Sequence, residues 1–180
     1  MSSVLIIIGI VVVVVAAIAA VLIIAATKPD TFRVQRSATI AAPPERIFPH
    51  LNDFHRWPAW SPYERRDPAM KRTLSGPATG PGAIYEWDGD KNVGKGRIEI
   101  TEVSPNARLA LNLDMLKPLE AHNKAEFTLQ PQGNATVVTW AMHGPAPYFS
   151  KILQVFCNMD RMVGGDFETG LANLKAIAEK

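Results

Sequence analysis

Residues 4–26 are apolar at every position except Gly9, and no other stretch of the chain resembles them. A helix over these 23 residues would reach about 35 Å, enough to cross a hydrocarbon core of about 30 Å. The expectation is a membrane-spanning anchor over 4–26. A cleaved signal peptide is the rival reading; Ala17-Ile18-Ala19 supplies an A-x-A pattern, but it sits inside an apolar run too long for the usual h-region. Residues 27–31 read as a short linker containing Pro29. From 32 to 40 the pattern changes to alternation, with Phe32, Val34, Ala38 and Ile40 on one side and Arg36 breaking that side. Period two marks a half-buried strand. Pro43-Pro44-Glu45 then opens a helix, because proline suits the first helical position and an acid suits the first turn. Pro49 predicts that this helix is short or kinked and ends near Asn52-Asp53.

Six further strands follow: 71–74, 83–87, 96–103, a run marked by Leu109, Leu111 and Leu113, a run marked by Ala125, Phe127 and Leu129, and 135–142. Short turns join most of them, as at Pro105-Asn106 and Gln132-Gly133-Asn134, which makes the sheet mainly antiparallel. The chain closes with one long amphipathic helix predicted over 148–178. Ile152, Phe156, Met159, Val163, Phe167, Leu171, Leu174 and Ile177 recur every three or four residues along it. Gly164-Gly165 is expected either to kink that helix or to let another group approach closely. One curved antiparallel sheet around one long helix buries both apolar faces, so the fold class is α+β. The domain occupies 32–180.

Charge sharpens this division. The first 27 residues hold no Asp, Glu, Lys or Arg; all 19 basic and 17 acidic residues come later. A net charge of +2 gives no basic face of the kind that nucleic acid requires, and none is expected as a partner. Lys28, Arg33 and Arg36 flank only the C-terminal side of the apolar run, which puts the domain on the cytoplasmic side of a single-pass membrane protein. Cys157 is the single cysteine, which rules out an internal disulfide and a cysteine-based zinc site. His50, His55, His122 and His143 show no metal-binding spacing, and no metal or cofactor is expected. No G-x-S-x-G, P-loop or dinucleotide fingerprint is present, so no catalytic residue is assigned.

Several motifs together resemble the START-like, or polyketide cyclase/dehydrase and lipid-transport, superfamily (SRPBCC). They are Ala41-Ala42-Pro43-Pro44-Glu45-Arg46-Ile47-Phe48, Phe54-His55-Arg56-Trp57-Pro58-Ala59-Trp60-Ser61-Pro62, Gly82-Ala83-Ile84-Tyr85-Glu86-Trp87, Val93-Gly94-Lys95-Gly96, Thr139-Trp140-Ala141-Met142 and, near the end, Gly164-Gly165-Asp166-Phe167-Glu168 with Gly170-Leu171-Ala172-Asn173-Leu174-Lys175. The resemblance runs from Phe32 to about Glu179. It implies a helix-grip fold: a seven-stranded antiparallel sheet around the C-terminal helix, with a cavity between them.

The resemblance implies ligand binding more firmly than any reaction. Its cavity makes Trp60, Tyr85, Trp87, Trp140, Met142, Phe156, Met159 and Phe167 the candidate ligand-binding residues, since aromatic rings and methionine suit an apolar guest. The same residues are equally suited to plain core packing. The expected partner is a hydrophobic small molecule or lipid held in an internal cavity beside the membrane. Two alternatives stand: a cyclase/dehydrase-like or hydrolase-like enzyme using the same cavity, and a membrane-bound interaction or stress-response protein without a ligand.

Overall fold

The computed structural model describes residues 2–180. Its helices are α1 (Ser2–Thr27), α2 (Pro44–Asn52), α3 (Tyr148–Phe156) and α4 (Met159–Ala178). Its strands are β1 (Thr31–Ile40), β2 (Lys71–Ser75), β3 (Ile84–Asp88), β4 (Lys95–Ser104), β5 (Arg108–Lys117), β6 (Ala121–Gln132) and β7 (Ala135–Pro145). Two short 3-10 turns, Phe54–Ala59 and Pro62–Arg65, connect α2 to β2. The chain resolves into two compact units. One joins the chain up to Phe32 with Pro145–Met159; the other joins Arg33–Gly144 with Asp160–Lys180.

In the first unit, α1 is long and apolar enough to cross a membrane. It packs against α3. Ala25 is fully buried and Val21, about one turn earlier, is half-buried, which defines one contact stripe on α1, and half-buried Lys28 follows just past the helix end.

The second unit holds the seven-stranded sheet, in the order β1-β7-β6-β5-β4-β3-β2. Neighbours from β2 to β7 pair antiparallel with bulges in the β4–β5 ladder. This is the helix-grip architecture that the alternating pattern and the family resemblance predict. Alternation directs Leu109, Phe127 and Trp140 to one face, where they pair across three strands and are buried. The next row, Ile100, Leu111, Ala125 and Met142, is buried as well. Phe167, Leu171 and Leu174 form the buried face of α4.

The C-terminal region departs from the predicted single helix. The break falls at Cys157 and Asn158, not at the glycine pair, and Cys157 is extended at φ −119° and ψ 126°. Gly164 and Gly165 remain helical within α4. Arg36 supplies the reason. It projects from the apolar side of β1, and its guanidinium donates to Asp160 at 3.0 Å and to Glu168 at 2.6 Å. A Cβ on Gly164 would overlap that guanidinium, whereas one on Gly165 would meet nothing within 4 Å. The residue that breaks the β1 stripe and the first glycine of the pair are two halves of one contact. Pro49 is accommodated within the nine-residue α2, which runs to Asn52 as its sequence predicts.

Candidate functional site

A continuous chain of rings fills the space between the sheet and α4. Trp140 lies flat on Phe167, with centroids 4.0 Å apart and planes 11° from parallel. Trp60 meets Trp140 edge-on at 5.6 Å and Phe127 at 5.9 Å. Trp57 links Trp60 to Tyr85, and Tyr85 leads on to Trp87 at 6.1 Å. Glycines make room for two of these rings. A Cβ on Gly170 would come within 2.7 Å of the Trp140 ring, and one on Gly96 would overlap the Trp87 ring.

The polar tips of Trp57, Trp60, Tyr85 and Trp87 are satisfied from within. The indole N–H of Trp60 donates to the His50 carbonyl at 2.9 Å, that of Trp57 to Leu51 at 3.0 Å and that of Trp87 to Val93 at 3.1 Å. The Tyr85 hydroxyl donates to Glu64 at 2.6 Å, and the other oxygen of Glu64 accepts from Arg72 at 2.6 Å. Burial, reinforced by the Glu64 carboxylate, pushes the Tyr85 phenol well above its ordinary value. Glu64 is only 8% exposed, and the neighbouring residues of its turn engage α4: Arg66 pairs with Asp166, and burial raises the Tyr63 phenol beside that carboxylate. The turn at 62–65 is thus fastened to β2 and β3 on one side and to α4 on the other.

The expected enclosed cavity between helix and sheet is therefore occupied by side chains. An open recess of about 190 Å³ instead lies at the start of β3, lined by Phe54, His55, Leu74, Ser75, Gly76, Pro77, Ala78 and Ile84. The inner sheet face also changes along its length. Beyond the two buried rows, the third row is Tyr85, Ile98, Leu113 and Asn123, and the fourth is Trp87, Gly96, Met115 and Ala121. In these rows Ile98, Leu113, Asn123, Trp87, Met115 and Ala121 are all half-buried. One end of the grip is closed, and the other presents apolar side chains to partial solvent around a single amide, Asn123.

Four of the eight sequence candidates, Tyr85, Trp87, Trp140 and Met142, lie on this face, and Trp60 and Phe167 pack against it from a turn and from α4. Trp60, Tyr85, Trp140, Met142 and Phe167 are buried, and Trp87 is half-buried at the open end. Phe156 is 71% exposed on α3 and Met159 is half-buried; both lie in the stretch that groups with α1. Sequence reasoning missed Ile98, Leu113 and Met115 as a half-covered patch, although their alternation placed the first two on strands. It also missed Glu64, whose position in a turn rich in tryptophan and proline gave no periodicity to read.

A family model for polyketide cyclase / dehydrase and lipid transport matches residues 31–179. No curated protein matches the chain by sequence. Among solved structures, the chain is similar to protein CV1439 from Chromobacterium violaceum, with 18% identity, a TM-score of 0.59, and coverage of 85% of this chain and 99% of that one. It is also similar to the di-domain ARO/CYC StfQ of the steffimycin biosynthetic pathway, with 14% identity, a TM-score of 0.63, and coverage of 83% of this chain and 51% of that one. The Aha1 dimer from Colwellia psychrerythraea gives 18% identity, a TM-score of 0.56, and coverage of 82% and 96%. At these identities the structures share the fold, while the family match spans the whole of the sheet and α4: the chain belongs to the polyketide cyclase / dehydrase and lipid transport family.

Proposed function

We propose that this chain is a membrane-anchored binder of a hydrophobic small molecule or lipid, with α1 as the single span and the sheet domain on the cytoplasmic side. The observation that carries the binding reading is the half-covered end of the inner sheet face. Trp87, Ile98, Leu113 and Met115 form a contiguous apolar surface there. Apolar ligand area moving from water onto such a surface contributes about 25 cal/mol per Å² before ordering costs. Tyr85, Met142, Phe167, Trp140 and Trp60 form the packed wall behind it. Asn123 is the polar group that would fix the orientation of a guest. Phe156 and Met159 are not carried into this reading, because neither belongs to the packed face.

The anchor reading is supported by the length and apolarity of α1, and the orientation by Lys28, Arg33 and Arg36 on one side only. Tethering by such an anchor keeps the domain within reach of molecules dissolved in lipid. The test is native mass spectrometry of the full chain released from detergent micelles after exposure to a total lipid extract. A retained apolar guest, lost at least about tenfold in Leu113→Asp because the carboxylate would be desolvated without a partner, is the expected result. A wild-type chain that emerges without any bound molecule overturns the binding reading.

A further inference from the structure

The α3 helix carries apolar side chains that the other described residues leave largely uncovered. Phe149 is 58% exposed, Leu153 42% and Phe156 71%. At 3.6 residues per turn these three fall within about 60° of one another on the helix surface, a single outward stripe. Lys151 lies on the opposite side. Its stem is buried, and its ammonium bonds Asp30 at 2.5 Å, just beyond the end of α1. The Tyr148 hydroxyl donates to the carbonyl of Leu22 at 2.8 Å. Leu22 is five residues inside the end of α1 at Thr27, which sets the Tyr148 hydroxyl about 7.5 Å from that end along the helix. A tyrosine at that depth matches the headgroup boundary of a bilayer, where aromatic side chains concentrate.

We infer that α3 is an interfacial membrane helix that inserts Phe149, Leu153 and Phe156 into the lipid surface beside α1, an inference that rests on the anchoring reading above. Its occupant is the bilayer itself, because α3 is held against the last turns of the apolar helix by the Tyr148–Leu22 and Lys151–Asp30 bonds while its stripe stays exposed. An amphipathic helix buries its apolar side at the headgroup–acyl boundary. Lys151, bonded at the end of α1, keeps its charge on the water side.

The chain offers its own reporter, because Cys157 is the single cysteine, is exposed and follows Phe156 directly. The full chain is labelled there with bimane and reconstituted into phosphatidylcholine vesicles that contain lipids doxyl-labelled near the headgroup. Co-flotation with the vesicles reports on α1, and quenching reports on α3. The expected result is co-flotation, efficient quenching by the doxyl lipids, and iodide quenching weaker by about threefold or more than in the F149D/L153D/F156D variant, whose stripe no longer favours the interface. A floating chain whose label is quenched equally by iodide in both proteins overturns the α3 contact and leaves the anchor standing. A label shielded from both iodide and doxyl lipid in proportion to protein density identifies a second copy or another protein as the occupant and also overturns it. A chain that does not float overturns the anchor reading, and the α3 contact with it.

Discussion

Two sets of apolar side chains in this chain have opposite surroundings. Under α4, Trp140, Phe167, Trp60 and Phe127 pack ring against ring and are buried, and the indole of Trp60 finds its partner within the protein. On α1 and α3, residues of similar hydrophobicity are exposed, among them Ile6, Val13, Phe149 and Phe156. The first set stabilises a fold in water. The second is unfavourable in water over so long a surface. Between these extremes lies the half-covered end of the sheet, where Trp87, Ile98, Leu113 and Met115 are neither packed like the first set nor bare like the second. Hydrophobicity alone does not separate these three settings; the degree of covering does.

Substitution should separate these classes. Trp140→Ala removes a stacked ring from the closed end and should lower unfolding stability by about 3–5 kcal/mol. Phe156→Ala should stay within about 0.5 kcal/mol. Urea titration of the full chain in detergent, followed by near-UV circular dichroism, measures both; equal losses would erase the distinction between the two regions.

The glycine pair gives a sharper contrast over one residue. Gly164→Ala drives a methyl into the Arg36 guanidinium, which must shift off its exposed partners Asp160 and Glu168, and should therefore gain less from helix propensity than the same change one residue on. Gly165→Ala meets open space and should stabilise by up to about 1 kcal/mol through helix propensity. The same titration checks that order, and equal effects at the two glycines would contradict it.

The smallest effect concerns acid. Arg36 holds the Asp160 carboxyl below its ordinary value of 3.8. A carboxyl depressed on folding stabilises above its unfolded pKa and loses that contribution as pH falls through the folded one. The loss of stability below about pH 4 should therefore be steeper in the wild type than in Arg36→Met, measured by thermal unfolding across the acid range. Parallel profiles would show that the pair contributes nothing to the acid response.

The sheet was legible because alternation is local: Ile98 and Ile100 against Arg97, Glu99 and Thr101 suffice to mark β4. The long apolar run was legible for the same reason. The Arg36–Asp160 pair was not, since its partners are 124 residues apart. Its two traces, a charge in an apolar stripe and a glycine in a helix, gain meaning only when brought together. The break at Cys157 and Asn158 left no proline or glycine to read, and the apolar period continues across it. Four of the eight candidate residues, Tyr85, Trp87, Trp140 and Met142, lie on the inner sheet face because parity on β3 and β7 places them there, and Trp60 and Phe167 meet it from a turn and from α4. Phe156 kept the helical spacing but lies on α3, where that spacing serves a different surface.

Photolabelling with a diazirine-bearing fatty acid, followed by peptide mapping of the full chain in vesicles, tests the binding claim most directly, because it asks which apolar surface a free guest occupies. The account predicts adducts on β3, β4 and β5 at Trp87, Ile98, Leu113 and Met115, in addition to those the bilayer gives on α1. Adducts confined to α1 and α3, with the sheet unlabelled, would contradict it.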